Sequence, residues 1–241
     1  MSQKRNASDT TCKQLLRDGE CFADLCNALY FHGRQVIKPE NLISQENDVS
    51  TLIGKEALPM ETKRYRDIVR KASINGEYMI IGVEHQSTLN KNMIIRILNY
   101  DAQLYINQVE SGKEVRPVGS FVFYMGDKEW TYPKSLKESL KIPPEMKDYI
   151  NDWKLPVLEL QKMDPQILKS KRLKEVVEIS QIMLKGDYEG LRKNRMICAE
   201  SFKIAAIFTH TDIKEEDLLG GDEINMCVAM DQLFQRMRNE G

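Results

Sequence analysis

The stretch "RYRDIVRKASINGEYMIIGVEHQS", residues 64–87, constrains the fold more than any other part of the chain. Asn75-Gly76 stands between two β-patterned runs, and a tight hairpin turn needs positive φ at both central residues, which Asn and Gly adopt at little cost. With these two at the turn, the register follows by counting outward. Ile74 opposes Glu77, Lys71 opposes Ile80, Ile68 opposes Val83 and Asp67 opposes Glu84. A strand that runs apolar from Tyr78 to Val83 therefore ends on Glu84, His85 and Gln86, with a second acid facing the first.

Directly opposed side chains have Cβ atoms about 4.5–5.5 Å apart, and like charges at that separation destabilise a sheet. Because side chains alternate, Asp67, Glu84 and Gln86 share one face while Val83 and His85 point to the other. Two carboxylates in oxygen-rich surroundings are what a hard divalent ion such as Mg²⁺ takes from a protein. Such an ion would neutralise the repulsion, acidify a bound water and polarise a phosphate ester. Two other readings suit the same residues: Lys71 or Arg66 relieves the charge, or a β-bulge shifts the register and separates the acids.

At 241 residues the chain is long enough for one large domain or a core domain with an addition. Its formal net charge of -1 provides no global basic field, so a nucleic-acid surface has to come from local clusters. Lys63, Arg64, Arg66, Arg70 and Lys71 crowd the first hairpin strand, "KSKRLK" covers Lys169–Lys174 and "RKNR" covers Arg192–Arg195. The last two runs are read as solvated faces. The five cysteines are odd in number and contain no CxxC pair, which fits free thiols rather than a disulfide framework or a zinc site. The N-terminus has no apolar stretch to act as a secretory signal, and no run approaches a membrane span, so a cytoplasmic protein is expected.

Helical spacing of Phe22, Leu25, Cys26 and Leu29 predicts a helix over 19–31. From Gln35 to Pro59 breakers predominate, and a loop with one or two short strands is expected. A second helix is predicted within 90–111, where Met93, Ile94, Ile97, Leu98, Asp101 and Tyr105 fall near one side and Gly112 ends it. Val118–Met125 reads as a buried strand. Pro133, Pro143, Pro144 and Pro156 make the segment from Trp130 to Pro156 read as irregular, and a connector is set at 136–160. Helices are expected over Ile167–Leu184, Tyr188–Phe208 and Glu223–Asn239. The chain thus divides into an α/β part at 1–135, the connector, and a helical region at 161–241. It stops at "RMRNEG" without a helix-ending signal, which suggests a longer natural product.

An acid, a strand and then E-x-Q at the strand end resemble the PD-(D/E)XK nuclease superfamily. The wider text, through "CFADLCNAL", "RYRDIVRKA", "GVEHQSTLNKNMIIRILNYDAQLY", "FVFYMGDKEWTYPKSL" and "INMCVAM", is similar to its Rpn branch of recombination-promoting, transposase-like nucleases. The resemblance implies a restriction-endonuclease-like core, a mixed central sheet flanked by helices, followed by the helical C-terminal region. It implies Asp67 and Glu84 as ligands of Mg²⁺ (or Mn²⁺ or Ca²⁺), with the His85 carbonyl oxygen as a third. Gln86 stands where the superfamily motif has lysine, and a neutral amide offers hydrogen bonds but no positive charge to a transition state. Asp24 on the first predicted helix matches an acid the family places near the site.

Arg96 and Tyr100, spaced i, i+4, either reach a phosphate or brace Glu84 and Gln86. Tyr124 and Trp130 read as core, and His32 and His210 have no partner at ligand or triad spacing. The expectation is a Mg²⁺-dependent deoxyribonuclease that cuts DNA internally, linked to recombination, mobile elements or phage defence. An alternative is a catalytically inactive DNA-binding or regulatory protein on the same fold. A homodimer through the amphipathic face of "INMCVAMDQLFQRM" is a further expectation, with DNA as partner and no membrane.

Overall fold

The computed structural model describes residues 2–44, 68–112, 114–192, 195–211 and 221–240. A five-stranded sheet in the order β1-β2-β3-β4-β5 runs through it. The strands are β1 (Leu42–Ser44), β2 (Ile68–Ile74), β3 (Glu77–Gln86), β4 (Val118–Tyr124) and β5 (Val157–Glu159). The first three are antiparallel neighbours, whereas β4 runs parallel to β3 and β5 parallel to β4. Asn75 at φ 52° and Gly76 at φ 88° make the turn, and the register is the counted one, Ile74 with Glu77 through Ile68 with Val83. Asp67 lies outside the described residues, one step past that last pair.

A parallel pair needs a crossover, and α3 (Met93–Glu110) supplies it between β3 and β4. Met93, Ile94 and Ile97 pack with Val122, Tyr124, Trp130 and Leu155 on one side of the sheet. On the other side Ile81, Val83, Phe121 and Phe123 pack against α1 (Ser2–Arg17) and α2 (Gly19–Phe31). Strand alternation thus divides β3 between two layers of helix, and each fully buried Phe or Ile stabilises by about 1.5–3 kcal/mol. Asp18 caps α2, its carboxylate accepting from the Glu20 and Cys21 amides at 2.8 and 3.3 Å.

Helix α1 has no counterpart in the sequence expectations. Its buried residues Ser8, Cys12, Leu15 and Leu16 follow helical spacing, but they form too thin a stripe to stand out without the sheet beneath them. Its end is held by Arg70 of β2, which is buried and donates to the Leu16 carbonyl at 3.1 Å and to that of Arg17. The Arg70 guanidinium also lies 5.2 Å from the Phe22 ring centre. One member of the basic first strand is therefore turned inward, where it satisfies a helix C-terminus.

The connector over 136–160 is irregular for most of its length, with one helical turn at Leu136–Ser139, but its last residues form β5. Helix α4 (Lys171–Leu184) sends Leu173, Val176 and Val177 into the sheet's core and Ile179 and Met183 into a second one. The helix expected over Tyr188–Phe208 is broken. One turn at Tyr188–Leu191 is followed by β6 (Met196–Cys198) and then by α5 (Ala199–Thr209). Strand β6 pairs with β7 (Glu223–Asn225), which displaces the start of the last helix, α6, to Met226. The Ile197–Ile224 cross-strand pair, buried in the second core, decides in favour of strand. Ile224, Met226, Ala229 and Met230 fill that core, so this part of the apolar face that suggested a homodimer is internal to the chain. Among the described residues no helix is long and apolar enough to cross a membrane.

Candidate active site

Glu84 lies near the carboxyl end of β3 on the α3 side of the sheet, with 1% of its surface exposed. The parallel register sets it beside Val122 of β4. Arg96, in the first turn of α3, forms an ion pair with its Oε1. The same guanidinium donates from Nε to the Tyr100 hydroxyl at 3.3 Å, so the i, i+4 pair braces the acid. Oε2 of Glu84 is buried and has no hydrogen-bond partner among the described residues. An orphaned buried acceptor costs about 1–3 kcal/mol, and more when charged. The described residues of the site therefore leave one carboxylate oxygen without a donor.

Gln86, two residues on and on the same face, is half-buried. Its amide donates to the Thr88 carbonyl at 2.8 Å and to the Thr88 hydroxyl at 3.1 Å, which ties it to the loop after β3. His85 is buried and, by alternation, faces the α1–α2 side with Val83. Asp24 of α2 is buried on that side too. One of its carboxylate oxygens accepts from Gln35 at 3.2 Å, and the other takes the amides of Lys169 and Ser170, each at 2.6 Å. It holds the entry to α4, on the far side of the sheet from Glu84. The structure thus gathers Glu84, Gln86, Arg96 and Tyr100, and leaves Asp24 and the His85 side chain apart from them.

An acid that the periodicity had placed on the apolar side of α3 proves important to the architecture. Asp101 is buried and accepts from the Ser120 hydroxyl at 2.6 Å and from the Trp153 indole at 3.2 Å, joining α3, β4 and the connector. An Asp within an otherwise apolar stripe is the signal that could have singled it out. At the carboxyl ends of the parallel strands, Gln86, Tyr124 and Glu159 stand in register. Burial alone would raise the Glu159 carboxyl. The Trp130 amide at 3.0 Å and the ammoniums of Lys162 and Lys134 outweigh it and hold the group below the usual carboxylate range. Burial pushes Tyr124 up, reinforced by the charges of Asp127 and Glu159. Tyr124 and Trp130 are both core, their rings edge to face at 5.2 Å.

Other chemistries have less to stand on in this chain. Burial pushes the Cys21 thiol up to about 12, which makes it a poor nucleophile. His32 and His210 end α2 and α5 in the left-handed conformation and are exposed. Among the described residues no three acidic, His or Cys side chains form a metal-binding group. At the end of β3 the described residues offer a cation the buried Oε2 of Glu84, and Asp67 lies outside the described set.

A mixed sheet with helices on both faces and a buried acid at a strand end is consistent with a nuclease-like α/β core. A family model described as "Putative transposase, YhgA-like" matches residues 62–203. The chain belongs to this family, which is of the PD-(D/E)XK type and lies in the Rpn branch. No curated protein and no solved structure matches it.

Proposed function

We propose that the chain is a metal-dependent DNA endonuclease that hydrolyses internal phosphodiester bonds. The observation that carries this reading is the buried Oε2 of Glu84, without a partner among the described residues, at the end of a strand whose register with β2 runs as far as Ile68 and Val83. Continued by one residue, that register would bring Asp67 opposite Glu84, so these two carboxylates and the His85 carbonyl oxygen are the residues that would hold Mg²⁺, Mn²⁺ or Ca²⁺. Bound there, the ion would supply Lewis acidity toward the phosphate and a more acidic water. Arg96, whose side chain is 40% exposed, can turn its outer edge to a phosphate oxygen while keeping Glu84 oriented. Tyr100 limits how far that guanidinium swings. Gln86 can place a water through its amide but offers no charge to the developing oxyanion, so the demand on Arg96 is greater.

A second reading, a DNA-binding protein on this fold that has lost turnover, rests on two of the same contacts. Arg96 already neutralises Glu84, and the Gln86 amide is engaged by Thr88. Incubating plasmid DNA with the protein in Mg²⁺, Mn²⁺ or EDTA, beside Glu84→Gln and Asp67→Ala, separates the two. The nuclease reading expects metal-dependent nicking that both substitutions abolish. Nicking indifferent to chelator and substitution overturns it, and gel shifts without cleavage favour the second reading.

A further inference from the structure

The basic runs noted in the sequence differ in what their charges meet. Arg172 pairs with Glu200 and lies 3.8 Å from Asp18, Lys171 reaches Glu223 at 3.3 Å, Arg192 pairs with Asp231 and with Glu189, and Arg195 meets Glu178 at 2.8 Å. Lys171, Arg172, Arg192 and Arg195 are thus neutralised within the fold. Lys71 of β2 differs: it has no carboxylate partner among the described residues, and its ammonium lies 4.3 Å from the centre of the Tyr78 ring. The guanidinium of Arg116, just before β4, lies 5.5 Å from the same ring centre. Two cations therefore converge on one half-buried tyrosine, and among the described residues Glu114, paired with Arg116, is the one carboxylate that answers them.

Both cations rise from a fixed backbone. Lys71 sits mid-strand opposite Ile80. The backbone of Arg116 is clamped at both ends by the buried Gln108, whose carbonyl oxygen accepts from the Arg116 amide at 2.7 Å and whose amide donates to the Arg116 carbonyl at 3.2 Å. Two residues on, the Val118 amide donates to the Tyr105 hydroxyl at 2.9 Å. Each cation–ring contact stabilises by only about 0.5–1 kcal/mol where water has access, and the two like charges repel each other. An anion lying between them would be drawn by both. Tyr78 precedes Glu84 by six positions on β3, so the two share a face and stand about 20 Å apart at about 3.3 Å per residue.

We propose that Lys71 and Arg116, held over Tyr78, form a second phosphate-binding site, and that the substrate is a nucleic-acid strand long enough to touch it and Glu84–Arg96 together. The inference rests on the nuclease reading for the identity of its ligand. At the duplex rise of about 3.4 Å per step along one strand the separation corresponds to about six nucleotides, and an extended single strand spans it with fewer. Shorter strands engage one site or the other.

The test is fluorescence anisotropy with labelled single-stranded DNA in EDTA, which removes cleavage from the readout. Lys71→Gln/Arg116→Gln is expected to weaken binding of a strand of about ten nucleotides at least tenfold and to flatten the salt slope by roughly 1.4, the share of two phosphate contacts on a single strand. Lys71→Arg/Arg116→Lys, which keeps both charges, should restore it. Independently of any substitution, the unaltered chain should gain affinity steeply as the strand lengthens from about three to about eight nucleotides. A folded charge-neutral variant with unchanged affinity and slope, or a flat length dependence, overturns the proposal. Loss of cleavage in Glu84→Gln with the slope intact in the charge-neutral variant sinks the second site and spares the nuclease. A slope that falls although no metal supports cleavage does the reverse.

Discussion

Arg96 binds one oxygen of Glu84 and leaves the other buried, with no partner among the described residues. Removing the guanidinium strands a charge in the sheet's α3 layer. Arg96→Met should therefore destabilise the chain by about 1–3 kcal/mol in urea unfolding at neutral pH, less than for a fully buried pair because Arg96 is partly in water. Adding Glu84→Gln should recover part of that loss. A double variant as unstable as the sum of the singles would mean that the pair is energetically uncoupled.

The lone Glu84 oxygen also predicts a response to divalent ions that needs no DNA. Mn²⁺ or Mg²⁺ at a hundredfold excess over its Kd should stabilise the folded chain by about 2.7 kcal/mol, read as a rise in Tm. The rise should vanish in Glu84→Gln. An undiminished rise in that variant would put the ion elsewhere.

Glu159 links stability to pH. Its folded carboxyl titrates below its unfolded value, so its contribution is complete above about pH 5 and declines as pH falls through the folded pKa. Wild type should exceed Glu159→Gln in urea midpoint at neutral pH, and the gap should close under acid. A gap that widens toward low pH would mean that the group is instead raised by folding.

Gly126 has no room for a side chain. A Cβ there would lie 2.2 Å from the Tyr124 hydroxyl and 2.8 Å from the Ser87 carbonyl oxygen. Gly126→Ala should cost about 1–3 kcal/mol and disturb the Tyr124–Trp130 contact, altering tryptophan emission. Unaltered emission and stability would show that the loop yields freely.

Asp101 joins three segments through two hydrogen bonds, to Ser120 and Trp153. Asp101→Ala leaves both donors without this acceptor and should destabilise by about 2–4 kcal/mol, with the Trp153 environment changing most. Asp101→Asn, which keeps one carbonyl oxygen, should lose less.

The hairpin was legible because its information is local. Asn75 and Gly76 meet a backbone demand where they stand, and once the turn is placed the register of β2 and β3 follows by counting. Helices α2 and α3 were legible for a similar reason, since long runs at helical spacing carry their own signal. The same counting placed Glu84 and Gln86 on one face and His85 on the other.

What the amino-acid order alone could not decide were matters of contact between distant parts of the chain. Strands of three residues such as β5, β6 and β7 are too short for a period to show, and pairing determines them. Asp24 matches a family acid and Arg70 belongs to a basic cluster by sequence, and the fold uses both to hold helix ends 145 and 54 residues away. That Arg96 meets Glu84, and that Lys71 and Arg116 share one ring, depends on how α3 and β4 lie across β3. A side chain's charge is a property of its position in the sequence, but the partner that charge meets is chosen by packing.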